Sequence, residues 1–281
     1  MTTYNDFLFE VKDRIGIITI NKPDRMNAMT YAMSDELKRV VNDAVNHPDA
    51  RVIVITGAGR AFCAGADMGL LQDQAGGGTG GSEDAGKLKT QASLSADFIP
   101  DVSEHFTESY GYFIQARKPF IAAINGSVAG LGLALTLYCD LRFIASEAKL
   151  STAFSQRGLI AEHGLSWMLP KLLGHAKALD LLLSARKFSA QEAEQLGLVN
   201  KVFPQETFMS DVMAYARHLA DTVSPRSMAI IKAQVWKSFF QSFNDAMALA
   251  DSEMAISITK EDFKEGVAHY LEKRAPHFKG V

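Results

Sequence analysis

The residues KPFIAAINGSVAGLGLALTLYCD, 118–140, change hydrophobic period partway along, and this change constrains the fold more than any other feature of the chain. Residues 120–124 (FIAAI) are apolar without alternation, the pattern of a strand buried on both faces. Leu131, Leu133, Leu135 and Leu137 then follow in a dense apolar run suited to a buried helix. Between them, residues 125–130 (NGSVAG) must turn the chain sharply, and glycine lets backbone approach a ligand or a neighbouring segment closely. A helix starting at 130–132 would aim unpaired N–H groups into that space, an anion site made of backbone. The competing reading is that these glycines only allow close packing. A dinucleotide fingerprint is a weak match because Leu135 stands where the third glycine of G-x-G-x-x-G belongs. A hydrolase elbow is excluded, since Ser127 follows Gly126 directly.

Strands on either side give this segment a context. Residues 7–11 and 15–20 are β-rich runs separated by Lys12-Asp13-Arg14, and read as a hairpin. Met33, Leu37, Val40, Val41, Ala44 and Val45 recur at steps of three and four, which predicts an amphipathic helix over 31–46, ended before Pro48. Residues 52–56 (VIVIT) form a further strand, entering Gly57-Ala58-Gly59 and then AFCAGAD, 61–67. Strand, helix, strand and glycine turn is the grammar of right-handed βαβ units. Residues 74–86 shift to Gly, Ser, Thr and acid, the composition of a mobile surface loop. Residues 88–116 have helical composition interrupted by Pro100, and 141–145 read as a strand. Helices are predicted over 165–173, 177–183, 190–196 and 206–220, with a strand at 198–203 and three more helices to residue 275. The fold class is α/β, divided into a core at 1–200 and a helical C-terminal region at 201–281.

Composition narrows the function. With 47% hydrophobic and 22% charged residues over 281 positions, the chain can bury one large core. Its net charge of −3, from 29 basic and 32 acidic residues, provides no basic stripe for nucleic acid. Cys63 and Cys139 sit in apolar or glycine-rich surroundings and read as buried thiols in a reducing cytoplasm, and no Cys/His cluster has metal-ligand spacing. The opening MTTYNDFLFEVKDR is too polar for a signal peptide, and no apolar run approaches the ~20 residues of a membrane span. The expectation is a cytoplasmic protein without a membrane partner or a bound metal.

Four blocks in order, PDRMNAM, ITGAGRAFCAGAD, the segment at 118–140 and EDFKEGVAHYLEKRAPHF, resemble the crotonase or enoyl-CoA hydratase/isomerase family across nearly the whole chain. The resemblance implies a spiral of ββα units with a helical C-terminal trimerisation region, a trimer or a hexamer built as a dimer of trimers, and an acyl-CoA thioester as substrate. Coenzyme A arrives as part of that substrate, so no separate cofactor is implied.

By the same resemblance, the backbone N–H groups of Ala66 and of Leu131, beside Gly130, bind the thioester oxygen. Such donors hold the negative charge of an enolate without reorganising, and one is typically worth ~3 kcal/mol in barrier. Arg25, Met26, Ala28, Ala64, Ala66, Asp67 and Met68 match positions that meet the CoA moiety. Tyr270 and Lys273 match positions that touch it from the same or a neighbouring subunit. Hydratases of the family resemble one another in using two glutamates, whose positions here hold Ala134 and Phe154; neither can move a proton. Glu162 stands where certain isomerases, including the peroxisomal enoyl-CoA isomerases, carry a single carboxylate, and His163 is an accessory candidate. Placed at the start of a helix, the two side chains would point about 100° apart. Glu162 also reads as an ordinary acidic residue before the helix at 165–173. Double-bond isomerisation through one carboxylate is the leading expectation. The alternatives are a hydratase or thioester hydrolase using Glu162 and His163, or an acyl-CoA-binding trimer without catalysis. The acyl pocket is expected along residues 70–112.

Overall fold

A computed structural model describes residues 3–75 and 100–280. The expected hairpin is present: β1 (Phe7–Lys12) pairs antiparallel with β2 (Ile15–Ile20), which turns through Asp13 and Arg14, both at positive φ. Helix α1 (Tyr31–Asn46) is capped by Thr30, whose side chain accepts from the Met33 N–H, and it buries the six apolar residues picked out by their spacing. Strand β3 (Val52–Gly57) then lies parallel to β2 and is buried throughout. The chain continues through β4 (Ala61–Cys63) into α2 (Met68–Ala75), which occupies the first two positions of the stretch read as a loop. The rest of that stretch, like 88–99, lies outside the described residues.

Pro100 begins a helix where the sequence reading had it interrupting one. It occupies the first position of α3 (Pro100–Ser103), where its missing N–H costs no helical bond. A second short helix, α4 (Gly111–Gln115), follows after a turn that contains Ser109 at φ 55°. The central segment is strand, turn and helix as its period change requires, with a further short strand in the turn: β5 (Phe120–Ile124), β6 (Ser127–Ala129) and α5 (Leu131–Leu137). Strands β7 (Leu141–Ala145) and β8 (Lys149–Ser151) continue the winding, followed by α6 (Leu165–Leu173), α7 (His175–Ser184), β9 (Phe188–Ser189), α8 (Ala190–Leu196) and β10 (Lys201–Phe203). The strand expected over 198–203 is therefore confined to its last three residues, and it falls beyond the division drawn at residue 200.

Among the described residues, two sheets result. The larger has the order β1-β2-β3-β5-β7-β10, parallel from β2 onward, and the smaller has the order β4-β6-β8-β9. Successive strands of the spiral step from one sheet to the other, which sets the turns after β3 and β5 side by side. Because strand side chains alternate, β3 feeds two cores. Ile53 and Ile55 join the cluster between the sheets, while Val52 and Val54 face α9 (Phe208–Thr222), which buries Phe208, Val212, Ala216 and Ala220 on the outer side. Burial of such a side chain contributes about 1.5–3 kcal/mol each for the larger ones.

The chain ends in α10 (Pro225–Lys237), α11 (Phe243–Ser257) and α12 (Glu261–Glu272). Helix α10 is fixed to the core by a buried ion pair. Lys232 Nζ lies 2.8 Å from Asp140 Oδ2, and the same oxygen accepts from the Phe120 N–H at 2.7 Å. Phe243, Tyr270 and Leu271 are largely exposed on the last two helices, each more than 70%. No helix among the described residues is long and apolar enough to cross a membrane.

Candidate active site

The two small-residue turns meet. The Met29 N–H donates to the Gly65 carbonyl at 2.8 Å and the Asp67 N–H to the Met29 carbonyl at 2.9 Å, a parallel bridge that passes over Ala66. Ala66 N–H is consequently outside these bonds. On the facing turn, Gly130 N–H donates to Ser151 O at 3.1 Å, and Leu131 N–H, the first of α5, has no preceding turn to bond. Gly65 lies between them at φ 110°, and a Cβ there would stand 3.2 Å from the Ala129 carbonyl. Gly132 has a different reason: a Cβ would come within 2.5 Å of the Cys63 carbonyl, so α5 presses directly on β4. Glycine is thus required by close packing at Gly132 and by a positive-φ turn against the facing chain at Gly65.

A cavity of about 320 Å³ opens at this meeting point. Ala66, Gly130, Leu131, Glu162 and His163 all line it, and so do Arg25, Met26, Ala28, Ala64, Asp67 and Met68. Ala134 does not: it is fully buried in the core one turn into α5. Phe154 forms an apolar part of the wall. Tyr270, 79% exposed, and Lys273, the left-handed residue that ends α12, are outside the lining. None of the described residues of 70–112 lines this cavity; most of the stretch expected to form the acyl wall lies outside the described residues, and Ser109 meets the cavity wall only through His163.

Four residues missed in the sequence complete the site. Asn27 is fully buried at φ 57°; its amide donates to the carbonyls of Ala58 and Ala61 and its oxygen accepts from the Lys22 N–H. It therefore ties the Arg25–Ala28 loop to the turn after β3, and asparagine tolerates that left-handed backbone better than most residues. Its place inside PDRMNAM was the available signal. Ala153, Arg157 and Leu159 line the cavity, with Arg157 donating to the Ala153 carbonyl at 2.9 Å. They follow β8 in a stretch without regular period.

Glu162 and His163 precede α6 in a turn and are not helical. The expected divergence of their side chains is corrected by His163, whose φ of 51° folds the backbone back. Glu162 Oε2 lies 3.7 Å from His163 Nε2, with the side chains 40% and 17% exposed. Burial raises the Glu162 carboxyl above its ordinary value and lowers the His163 imidazolium below its own. On its other side, His163 Nδ1 lies 3.2 Å from Ser109 Oγ, and its carbonyl accepts from the Tyr138 hydroxyl at 3.1 Å. Burial pushes the Cys63 thiol, next to the Ala64–Ala66 turn, up to about 12 and raises that of Cys139 too, as expected of inert buried thiols.

The chain belongs to the enoyl-CoA hydratase/isomerase, or crotonase, family, whose pattern matches residues 10–281. It is an acyl-CoA enzyme of that family. Its relatives include a Mycobacterium tuberculosis protein described as a probable enoyl-CoA hydratase, echA8, 32% identical over 279 residues with 98% of each chain covered. The 1,2-epoxyphenylacetyl-CoA isomerase of Escherichia coli is 30% identical over 273 residues, covering 97% of this chain and 98% of its own. Among solved structures, an enoyl-CoA hydratase from Bacillus anthracis superposes with a TM-score of 0.84 at 27% identity, over 99% of this chain and 100% of that one.

Proposed function

We propose that this enzyme moves a double bond within an enoyl-CoA thioester, with Glu162 as the single proton carrier. One observation carries the reading: Glu162 shares a cavity with the backbone donors at Ala66 and Leu131, while the side chains at Ala134 and Phe154 cannot exchange protons. The carboxylate of Glu162 takes a proton from C2 of a 3-enoyl thioester, and the electron pair left behind moves onto the thioester oxygen. The N–H groups of Ala66 and Leu131 hold that oxyanion. The electrons then return, the double bond closes between C2 and C3, and Glu162 delivers its proton at C4. A carboxyl raised by burial suits a group that must both take and return a proton. The kinship with an isomerase of a CoA thioester supports the same direction.

In this reading Arg25 meets the CoA phosphates, and Met26, Ala28, Ala64, Asp67 and Met68 shape the groove beside it. Tyr270 and Lys273 serve a neighbouring subunit, because within one chain they are not at the cavity. The apolar surface of α11 and α12 supports assembly as a trimer or hexamer. The 3.7 Å contact between Glu162 and His163 favours, as second reading, a hydratase in which these two share the work on a water molecule. Incubation with 3-enoyl-CoA and with 2-enoyl-CoA in deuterated water separates the two. Migration is the expected result, with the C2 hydrogen carried to C4 and solvent deuterium entering there only as far as the carboxyl proton exchanges, and hydration without migration would replace isomerase by hydratase.

A further inference from the structure

Two guanidinium groups line the cavity, those of Arg25 and Arg157, and neither meets a carboxylate among the described residues. Elsewhere Arg186, Arg226 and Arg274 are each paired with carboxylates. The two carboxyl groups of the cavity are engaged otherwise: Asp67 Oδ1 accepts from the Gly69 N–H at 2.9 Å, and Glu162 faces His163. Burial raises the Glu162 carboxyl and no guanidinium beside it opposes the shift, so Arg157 does not serve to keep the base ionised. With that carboxyl biased towards its neutral form, the cavity leans positive.

Arg157 is also held in place. The Arg157 N–H donates to the Phe154 carbonyl at 2.9 Å and the Gly158 N–H to the Ser155 carbonyl at 3.1 Å, which closes a turn. Ser155 Oγ and Gln156 Nε2 donate to the carbonyls of Leu183 and Ser184 at 3.0 and 3.1 Å, and so pin that turn to the end of α7. Arg157 Nη1 donates to the carbonyl of Ala153, itself at φ 65°. This bond orients the guanidinium and leaves its Nε–Nη2 edge without a protein partner among the described residues. That edge is the one that meets a carboxylate or a phosphate with two parallel bonds, and a fork oriented beforehand loses less entropy in making them.

We propose that Arg157 is an anion-binding residue of this cavity, which takes a charged oxygen group of the thioester ligand: a carboxylate carried by the acyl group or a phosphate of the CoA moiety. The inference rests on the CoA-thioester reading of the cavity and is independent of which proton transfer follows. Arg25 belongs to the turn before α1 and Arg157 to the turn after β8, so a ligand that meets both is held by two separate parts of the spiral. If the group is a carboxylate, the favoured substrate is the mono-CoA thioester of an unsaturated dicarboxylic acid, with Phe154 and Leu159 against its carbon chain. If it is a phosphate, Arg157 adds to Arg25 in holding CoA.

Binding of saturated thioesters, which cannot isomerise, separates these sources. NMR titration of the full chain, wild type and Arg157→Gln, should use butyryl-pantetheine, which has no anionic group, glutaryl-pantetheine, with a carboxylate alone, and butyryl-CoA, with phosphates alone. Arg157→Gln should bind butyryl-pantetheine like the wild type and lose about tenfold in Kd or more for one or both of the others, the scale of a hydrogen bond to a charged group. Loss with glutaryl-pantetheine assigns the acyl carboxylate, and loss with butyryl-CoA assigns the phosphate. Arg157→Lys, which keeps the charge and gives up the planar fork, should show a smaller loss for the same ligand, and it carries the test if Arg157→Gln does not fold. Unchanged Kd for all three ligands overturns the inference. So does an equal loss for all three, because the arginine would then act only by holding the wall at Ala153 and Phe154. Failure of the wild type to bind butyryl-CoA would instead overturn the thioester reading, and the inference with it.

Discussion

Glu162 and His163 are neighbours in the chain whose side chains converge, with Oε2 3.7 Å from Nε2. Consecutive residues of a helix would diverge by about 100°, so this contact exists only because His163 takes a left-handed backbone before α6 begins. The turn places a carboxyl and an imidazole in one cavity, which Ala66 and Leu131 also line from other parts of the spiral.

Turnover should therefore depend on pH through this pair. The base works deprotonated, and burial raises the Glu162 carboxyl above its ordinary 4.5, so kcat/KM should fall on acidification with an inflection above that value. Replacing His163 by Gln removes the titratable neighbour 3.7 Å from the carboxyl, and the inflection should move. A pH–rate profile unchanged in His163→Gln would separate the histidine from the proton chemistry.

Asn27→Ala should weaken both stability and CoA binding. It strands the carbonyls of Ala58 and Ala61 and the Lys22 N–H, at about 1–3 kcal/mol for each buried group left without a partner. Urea denaturation measures the first effect. The second should read as a higher KM for the thioester with kcat largely retained, since Asn27 holds the binding loop and not the reacting carbons.

At Gly132 the expected damage is geometric. An added methyl meets the Cys63 carbonyl at 2.5 Å and the Cys63 Cβ at 2.7 Å, neither of which is the far end of a flexible side chain. Gly132→Ala should cost about 1–3 kcal/mol of stability through overpacking. It should also lower kcat, because the shift is passed to Leu131 N–H one residue away. Wild-type kcat in a folded Gly132→Ala would count against Leu131 as an oxyanion donor.

Asp140 tests the attachment of the C-terminal helices. Besides Lys232 and the Phe120 N–H it accepts from Trp236 Nε1 at 3.1 Å, so it joins α10 to the start of β5. Asp140→Ala leaves the Lys232 ammonium, 5% exposed, with only the carbonyls of Phe113 and Lys118. The expected loss is about 3–5 kcal/mol in chemical denaturation. A loss below about 1 kcal/mol, the scale of an exposed ion pair, would mean that the pair is solvated.

Much of this was legible in the residues because local pattern and burial coincide. The apolar run 52–56 and the period of α1 specify elements whose apolar faces are accounted for by core contacts, and the glycine turns mark where chain segments must approach. What escaped depended on backbone conformations that apolar periodicity does not encode. Left-handed Asn27, Ser109, Ala153 and His163 redirect the chain over one residue or, with Met26 and Gly164, over two, and three of the four are residue types that a sequence window reads as ordinary loop or cap. Ser109 in particular meets His163 across 54 positions, a partnership set by the winding of the spiral and not by spacing.

The most direct test of the account is Glu162→Gln, which preserves shape and removes the base. Its rate of 3-enoyl-CoA to 2-enoyl-CoA conversion should be compared with wild type at saturating substrate, alongside the Kd of a non-reactive acyl-CoA. The account predicts a loss of about 10²–10⁴ in rate, the contribution of a positioned general base, with Kd nearly unchanged. Conversion at the wild-type rate in Glu162→Gln would contradict it.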